Sequence, residues 1–189
     1  MKQSVLTFLL VTLSWSVVAN GDINYAHKAI KKTLEKSCKL INAQFNEMAI
    51  PDDLSAGLQG KFFSVSSDNA DSEITHMYVG RVNSCRAGGC SMPAAQAMGG
   101  DSEYFDYMVL YNNNREVILV KIFNYQATHG HEVTAKGWLK QFVGYGTESK
   151  DLEVGRNIDS ISGATISVNG ITQDISDKTK ILNNLLSNS

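Results

Sequence analysis

The residues best suited to chemistry lie in one run near the end of the chain, residues 159–167, which read DSISGATIS. Three small residues, Ser162, Gly163 and Ala164, precede apolar residues at helical spacing, which predicts that a helix starts here. The first N–H groups of a helix have no partner within it, and the helix dipole adds partial positive charge. Small side chains let an anion approach these groups, and hydroxyl side chains add donors. The run therefore predicts a site for a phosphate group.

The same run also fits an ordinary helix start without a ligand. In that interpretation Ser162 is the N-cap, Gly163 and Ala164 have no special role, and Thr165 is an early helical residue. Small polar residues begin many helices, so composition alone does not separate the two interpretations. The separating feature is the Thr165 side chain, which a phosphate site needs exposed and not packed in the interior.

A second polar segment, residues 129–137, reads HGHEVTAKG and follows a predicted β-hairpin. The hairpin strands are residues 104–111 and 116–125, both rich in aromatic and β-branched residues. Three asparagines at 112–114 predict the turn, because asparagine tolerates positive φ. The hairpin is thus expected to deliver the polar segment to one end of a sheet.

The remaining predicted elements surround this hairpin. A helix is predicted for 24–46, where Cys38 falls on the apolar face, and a second helical region for 162–186. Between them the pattern predicts a polar loop at 64–72, a strand at 74–82 and a short helix at 134–143 capped by Thr134. The fold class is therefore α+β, with a meander-like antiparallel sheet flanked by an N-terminal helix and C-terminal helices.

Length and charge limit the possible partners. The chain has 189 residues, with 17 Lys and Arg against 19 Asp and Glu and a formal net charge of -2. Such a chain has no global positive field for a nucleic-acid backbone, so nucleic acid is not an expected partner. No repeat, low-complexity tract or charge block divides it, so residues 20–189 are predicted to form a single domain.

The first 19 residues predict a signal peptide. Residues 5–19 have no charged side chain, follow Lys2, and end with Val17 and Ala19 at the positions that favour cleavage after Ala19. A second cleavage site follows Gly21. As a helix, the apolar run would span about 22 Å, less than the roughly 30 Å of a bilayer core. We therefore expect export to the periplasm or cell envelope, with an uncleaved N-terminal anchor as the alternative.

Export sets the expectation for the three cysteines. Cys85 and Cys90 bracket four residues, two of them glycines, and are predicted to form a disulfide in an oxidising compartment. Cys38 is left over and is predicted to be a buried thiol that packs as a small apolar side chain. We expect no metal site, because three cysteines without a placed histidine do not make a structural zinc site.

The run DSISGAT, followed by the hydroxyl of Ser167, resembles the flavin-attachment motif of the FMN-binding domain family. Members of this family include flavin-carrying subunits of the Rnf complex and of the sodium-pumping NADH:quinone oxidoreductase. The hairpin at 105–133 also resembles the family's strand pair, which ends in a histidine-glutamate-threonine-glycine segment. It precedes the run at 162–165 in the same order and at a similar separation. The family's usual Glu-Thr-Pro-Gly run is replaced here by Glu132-Val133-Thr134-Ala135, which has no proline, and a glycine follows only at Gly137. The resemblance covers about residues 74–180, the expected FMN-binding core.

The resemblance implies FMN as cofactor, joined by a flavin transferase to Thr165 through a phosphodiester. It also implies that the segment at 129–137 is a wall of the flavin pocket, and we favour this over a metal site at His129 and His131. No catalytic residue is implied. The implied cofactor-binding residues are Thr165, Ser162, Gly163, Ala164, Asp159, Ser167, His131, Glu132, Thr134 and Gly137.

The function implied by the resemblance is that of an electron carrier that relays electrons between membrane or periplasmic redox proteins. The chain is more typical of a carrier than of a self-sufficient enzyme, because no second cofactor motif is present. The alternative is a binding module of the same fold that holds FMN without a covalent bond or holds none. In either case the loop between Cys85 and Cys90 is expected to be a structural clip, with redox exchange with a flavin as the other possibility.

Overall fold

The computed structural model of this chain describes residues 21–69, 71–84, 103–146 and 148–187. The predicted signal segment at 1–19 and the predicted Cys85–Cys90 disulfide lie outside these residues, so both stay predictions. Within the described ranges, no helix has the length and apolar character needed to cross a membrane.

The core of the fold is a five-stranded antiparallel sheet whose strands lie side by side in chain order. This meander confirms the predicted sheet. The last three strands coincide with the predicted strand runs, because their aromatic and β-branched side chains pack well on a pleated surface. The strands are β1 (Gln44–Glu47), β2 (Gly60–Ser66), β3 (Ile74–Asn83), β4 (Tyr104–Asn112) and β5 (Val117–Tyr125).

Helices precede, interrupt and follow the sheet, which confirms the α+β class. The last helix is 23 residues long and the others are single turns or little more. The helices are α1 (Lys28–Lys32), which continues as a π-helical turn (Thr33–Ser37), α2 (Asp52–Ser55), α3 (Lys136–Leu139) and α4 (Thr165–Ser187). Two 3-10 turns, His131–Thr134 and Lys140–Phe142, flank α3.

The sheet has a buried layer on each face, and β4 contributes to both. Phe105 and Tyr107 belong to the core that includes the apolar side of α4, whereas Met108 and Leu110 pack in a second core with Ile30 of α1. All four of these β4 side chains are fully buried. Because side chains alternate across a strand, β4 packs against α4 on one face of the sheet and against the N-terminal helix on the other.

The prediction of one helix over 24–46 is wrong before Lys28 and beyond Ser37. Lys39 and Asn42 have φ of 57° and 49°, left-handed conformations that no α-helix continues through. The chain then pairs with β2 as β1, and Ile41, predicted to face the core, is 58% exposed. Cys38 follows the π-helical turn and packs against the core that contains Ile30, as predicted, but its side chain is only half-buried.

Two other boundaries differ from the predictions. The predicted loop at 64–72 begins later, because β2 continues to Ser66 through its pairing with β1. The predicted helix at 134–143 is α3 with a 3-10 turn on each side, and its N-cap is Ala135, with no side-chain cap. Thr134 therefore does not cap it.

The turn between β4 and β5 lies at the predicted asparagines, but a different residue has the positive φ. It is Arg115, with φ of 65°. The Asn112 side chain accepts a hydrogen bond from the Glu116 amide at 2.9 Å, while the Arg115 guanidinium donates to Asn183 Oδ1 of α4 at 2.8 Å. The positive φ expected at an asparagine is therefore found at Arg115, whose side chain contacts α4.

Candidate functional site

The helix predicted from the serine-glycine-alanine run starts at Thr165, three residues later than Ser162. Gly163 has φ of 79°, and its left-handed conformation turns the chain into the helix. The amide of Ala164 donates to Ile161 O at 3.1 Å, which closes that turn. Ser162 is therefore outside the helix and is not its N-cap.

The first turn of α4 presents an exposed hydroxyl beside amides that the helix leaves unpaired. The first intrahelical bond runs from Val168 N to Ala164 O at 2.9 Å. The N–H groups of Thr165, Ile166 and Ser167 precede it and have no partner within the helix. The Thr165 side chain is exposed and makes no hydrogen bond with the described part of the chain. A phosphate at this position would meet both a hydroxyl and positive helix polarity.

The surroundings of the turn leave space for a ligand. A Cβ added to Gly163 would meet no atom within 4 Å, and the same holds for Gly137. Asp159 and Ser162 are also exposed, so no bulky packed side chain closes over the turn from its own run. The backbone of this turn is therefore accessible beside the exposed Thr165.

Ser167 supports the turn from the inside. Its side chain is 2% exposed, and its Oγ lies 2.7 Å from the Oγ of Ser84, the residue that follows β3. Ala164, 3% exposed, is buried beside it. The two inward residues of the motif therefore anchor the helix start to the end of β3, while Thr165 between them faces outward.

The second predicted segment reaches the same place through Gly130. This residue has φ of 79°, and a Cβ on it would lie 3.1 Å from Ala164 Cβ and 3.2 Å from Ser167 Oγ. Only a glycine combines that conformation with so close an approach. The structure thus brings the segment after β5 against the start of α4, as the resemblance implied.

An aromatic cluster lies beside this contact. The Tyr125 ring stacks on Phe105 at 5.5 Å between centroids, and the His131 ring meets its edge at 5.1 Å. The Tyr125 hydroxyl donates to His129 O at 2.5 Å. Burial raises the pKa of Tyr125, a hydrogen bond with Ser167 partly offsets this, and the negative charge of nearby Glu132 adds to it. Tyr125 therefore stays protonated and keeps its hydroxyl as a donor.

The start of the motif is held by the helix that follows this segment. The Trp138 indole N–H donates to Asp159 O at 2.8 Å, and the Asp159 amide donates to Gln141 Oε1, also at 2.8 Å. Both backbone groups of Asp159 are therefore fixed, while its carboxylate is exposed. α3 and its following turn thus set the position from which the chain enters the turn at Gly163.

The other predicted residues divide by exposure. His131 and Glu132 are exposed, while Thr134 is half-buried with its Oγ1 3.4 Å from His131 Nδ1. Val133, which departs from the family pattern, is fully buried in the core that packs on α4. Among the described residues, no three His, Cys, Asp or Glu side chains are grouped so as to hold a metal ion.

Sequence reasoning missed several residues that build the site, namely Ser84, Tyr125, Gly130 and Gln141. Gly130 carries a usable signal, because a glycine between two histidines after a strand suggests a positive φ. The other three residues carry no such sequence signal. Ser84, for example, contacts Ser167, which lies 83 residues later in the chain. Such pairs follow from the fold and not from local pattern.

Fold and site together define a class: an α+β protein whose long last helix has an exposed threonine at its first position. Residues 102–178 match the FMN-binding domain family, and this range includes β4, β5, the segment after them and the motif at the start of α4. The chain therefore contains an FMN-binding domain over these residues, and this domain indicates FMN as the cofactor. No curated protein and no solved structure matches the chain.

The contact of Gly130 gives a testable expectation. We expect Gly130→Ala to lower the free energy of unfolding by about 2–4 kcal/mol, from left-handed strain and from crowding against Ala164 and Ser167. The control is Gly155→Ala, because Gly155 has a similar φ of 84° but nothing within 4 Å of an added Cβ. It should lose only the strain, about 1–2 kcal/mol. Equal losses in urea unfolding of the two variants would show that the contact contributes nothing.

Proposed function

We propose that this chain is an exported electron-transfer protein whose FMN is attached to Thr165 through a phosphodiester. The observation that carries the proposal is the exposed Thr165 hydroxyl at the first position of α4, inside a domain of the FMN-binding family. A flavin transferase must reach this oxygen, and a packed threonine would not be accessible to it. Among the motif hydroxyls, Ser167 is buried and engaged with Ser84, which leaves Thr165 as the better acceptor.

The attachment step would use the Thr165 hydroxyl and the backbone amides that follow it. Thr165 Oγ1 would lose its proton and form the new O–P bond, while phosphorus loses the leaving group of the activated flavin phosphate used by the transferase. The amides of Ile166 and Ser167 would then donate to the phosphate oxygens, and the helix dipole favours their negative charge. Bound FMN supplies reversible two-electron redox chemistry.

The protein residues would orient and shield the bound group. Ala164, Ser167 and Gly130 form a rigid base under the attachment point, since their mutual contacts are close. His131 and Tyr125 supply aromatic surface and a hydroxyl beside that base. A covalent bond suits an exported carrier, because a dissociated flavin would diffuse away. Membrane or periplasmic redox proteins are the partners that we propose on either side of the relay.

The test is an intact mass of exported protein made together with a flavin transferase. We expect a mass lacking residues 1–19, lower by two hydrogens for a Cys85–Cys90 disulfide, and higher by FMN less one water. The flavin should stay with the chain after denaturation. Yellow native protein that loses its flavin on unfolding would indicate a non-covalent module, and colourless protein would indicate a flavinless one; either result contradicts the proposed attachment.

A further inference from the structure

Positive charge is concentrated at the start of the fold. Between residues 28 and 39 the chain has five lysines and a single acidic residue, Glu35, although its formal net charge is -2. Lys28, Lys32 and Lys36 recur every four residues, so they lie along one side of the helical segment. Lys31 pairs with Glu35 at 3.6 Å, whereas these three form no ion pair with any carboxylate that the structure describes. The side is therefore positive without compensation.

A lysine from the sheet extends this surface. Lys121 of β5 donates from Nζ to Thr33 Oγ1 at 3.0 Å, which places its ammonium group against the residue that follows Lys32. Burial lowers the pKa of Lys121, and the positive charges of Lys136 and Lys32 lower it further. The Lys121 ammonium group therefore lies against the helical side of this surface, and the charge of Lys136 in α3 also acts on it. No described carboxylate forms an ion pair with Lys32, Lys121 or Lys136.

The surface borders the flavin site through α3. Lys136 is the first residue of that helix and lies within the segment 129–137, which contacts α4 through Gly130. Trp138, two residues later, donates to the backbone of Asp159 at the start of the motif. A partner seated on the lysines would therefore lie beside the segment that forms one wall of the site.

We propose that the lysine cluster, formed by Lys32, Lys121 and Lys136 with Lys28 and Lys36 at its rim, is the docking surface for the acidic face of a redox protein. This inference rests on the proposed electron relay. Like charges held together without carboxylates favour an approaching negative surface and steer its encounter. In a chain of net negative charge, a local positive surface is what lets an acidic partner approach. Its position beside α3 favours a redox protein over an anionic membrane, because electrons must pass close to the flavin.

The first test needs no flavin and uses the anion hexacyanochromate(III), a paramagnetic and redox-inert probe. We expect it to broaden the amide NMR signals around Lys32, Lys121 and Lys136 at low salt. The double variant Lys32→Gln/Lys136→Gln should lose this broadening. The control is Lys180→Gln on α4, because Lys180 lies 3.8 Å from Asp151 and is already paired. Broadening that is spread evenly, or unchanged in the double variant, would overturn the proposal.

The second test uses the flavin-loaded protein and two oxidants of opposite charge. Reduced flavin gives up two electrons, one to each of two hexacyanoferrate(III) ions, and its protons pass to solvent. At about 10 mM salt we expect the double variant to react about tenfold more slowly with this anion, from the loss of two charges within a Debye length. The cation tris(phenanthroline)cobalt(III) should not be slowed. Equal rates for the variant and the parent with the anion would contradict the docking surface.

A third arm separates a protein partner from a membrane. Phosphatidylglycerol vesicles should not sediment the full exported chain at physiological salt. Sedimentation that disappears in Lys32→Gln/Lys136→Gln would assign the cluster to anionic lipid and overturn our choice of a redox protein. Because the NMR arm works without FMN, a failure of flavin attachment leaves the docking surface independently testable.

Discussion

Thr165→Val is expected to abolish covalent flavin while the protein stays folded. Valine keeps the branched shape of threonine and removes the only atom that can form the ester. The side chain is exposed at the first position of α4, so its replacement buries no polar group and opens no cavity. We expect a loss of stability of no more than about 1 kcal/mol. The measurement is the intact mass after co-expression with a flavin transferase, alongside a urea unfolding curve.

Matched variants make this expectation specific to one hydroxyl. Ser162→Ala removes another exposed hydroxyl of the same run, outside the helix, and should leave the adduct in place. Thr165→Ser keeps a hydroxyl and should restore part of the attachment. An FMN adduct that persists in Thr165→Val would move the attachment point elsewhere. Loss in Ser162→Ala as well would indicate that the turn as a whole, and not Thr165, is what the transferase needs.

Much of this architecture could be predicted because local pattern and tertiary structure agree there. β3, β4 and β5 combine aromatic and β-branched residues in runs of strand length, and their positions were predicted to within one or two residues. The start of α4 follows from small residues ahead of helical spacing, and only its first residue was misplaced. The motif was recognisable because its chemistry lies in consecutive residues.

The remaining parts depend on contacts that sequence does not display. β1 reads QFNE, a short and mostly polar run that becomes a strand because β2 supplies its partners. The apolar spacing of the N-terminal helix continues to Ile41, yet the backbone leaves the helix at Ser37, since the left-handed Lys39 turns the chain away. Ser84 and Ser167 meet only because β3 ends where α4 begins. The strand β1, the end of the N-terminal helix and the contact between the two serines therefore all depend on tertiary contacts.

A buried ion pair on the opposite face of the sheet from α4 is expected to have the largest effect on stability. The carboxylate of Asp106 is fully buried and accepts from Arg81 Nε at 2.7 Å and Arg81 Nη2 at 3.2 Å. Asn124 Nδ2 adds a third bond at 2.6 Å, and the Arg81 guanidinium lies 3.6 Å from the centre of the Tyr104 ring. Removing Asp106 would leave the charge of Arg81, whose side chain is only 12% exposed, without its partner.

We expect Asp106→Ala to lower the free energy of unfolding by about 3–5 kcal/mol. Glu47→Ala is the control, because Glu47 and Lys61 form an ion pair of the same 2.7 Å length whose side chains are 54% and 41% exposed. Its loss should cost much less than the loss of Asp106, since water screens exposed charges and replaces the interaction. Urea unfolding of both variants measures the difference, and losses of similar size would refute the assigned burial effect.

The same variant should disturb the flavin site, because the pair holds an irregularity of the sheet. Phe105 pairs with Tyr125 and Asp106 with Phe123, so Asn124 is an extra residue in β5, with φ of 51°. Its side chain bonds to Asp106, and the next residue, Tyr125, packs on Phe105 beside His131. In Asp106→Ala we therefore expect altered near-ultraviolet circular dichroism from Tyr125 and a smaller fraction of protein that carries the FMN adduct after co-expression with a flavin transferase. If the protein loses stability yet keeps both signals unchanged, the bulge does not position Tyr125.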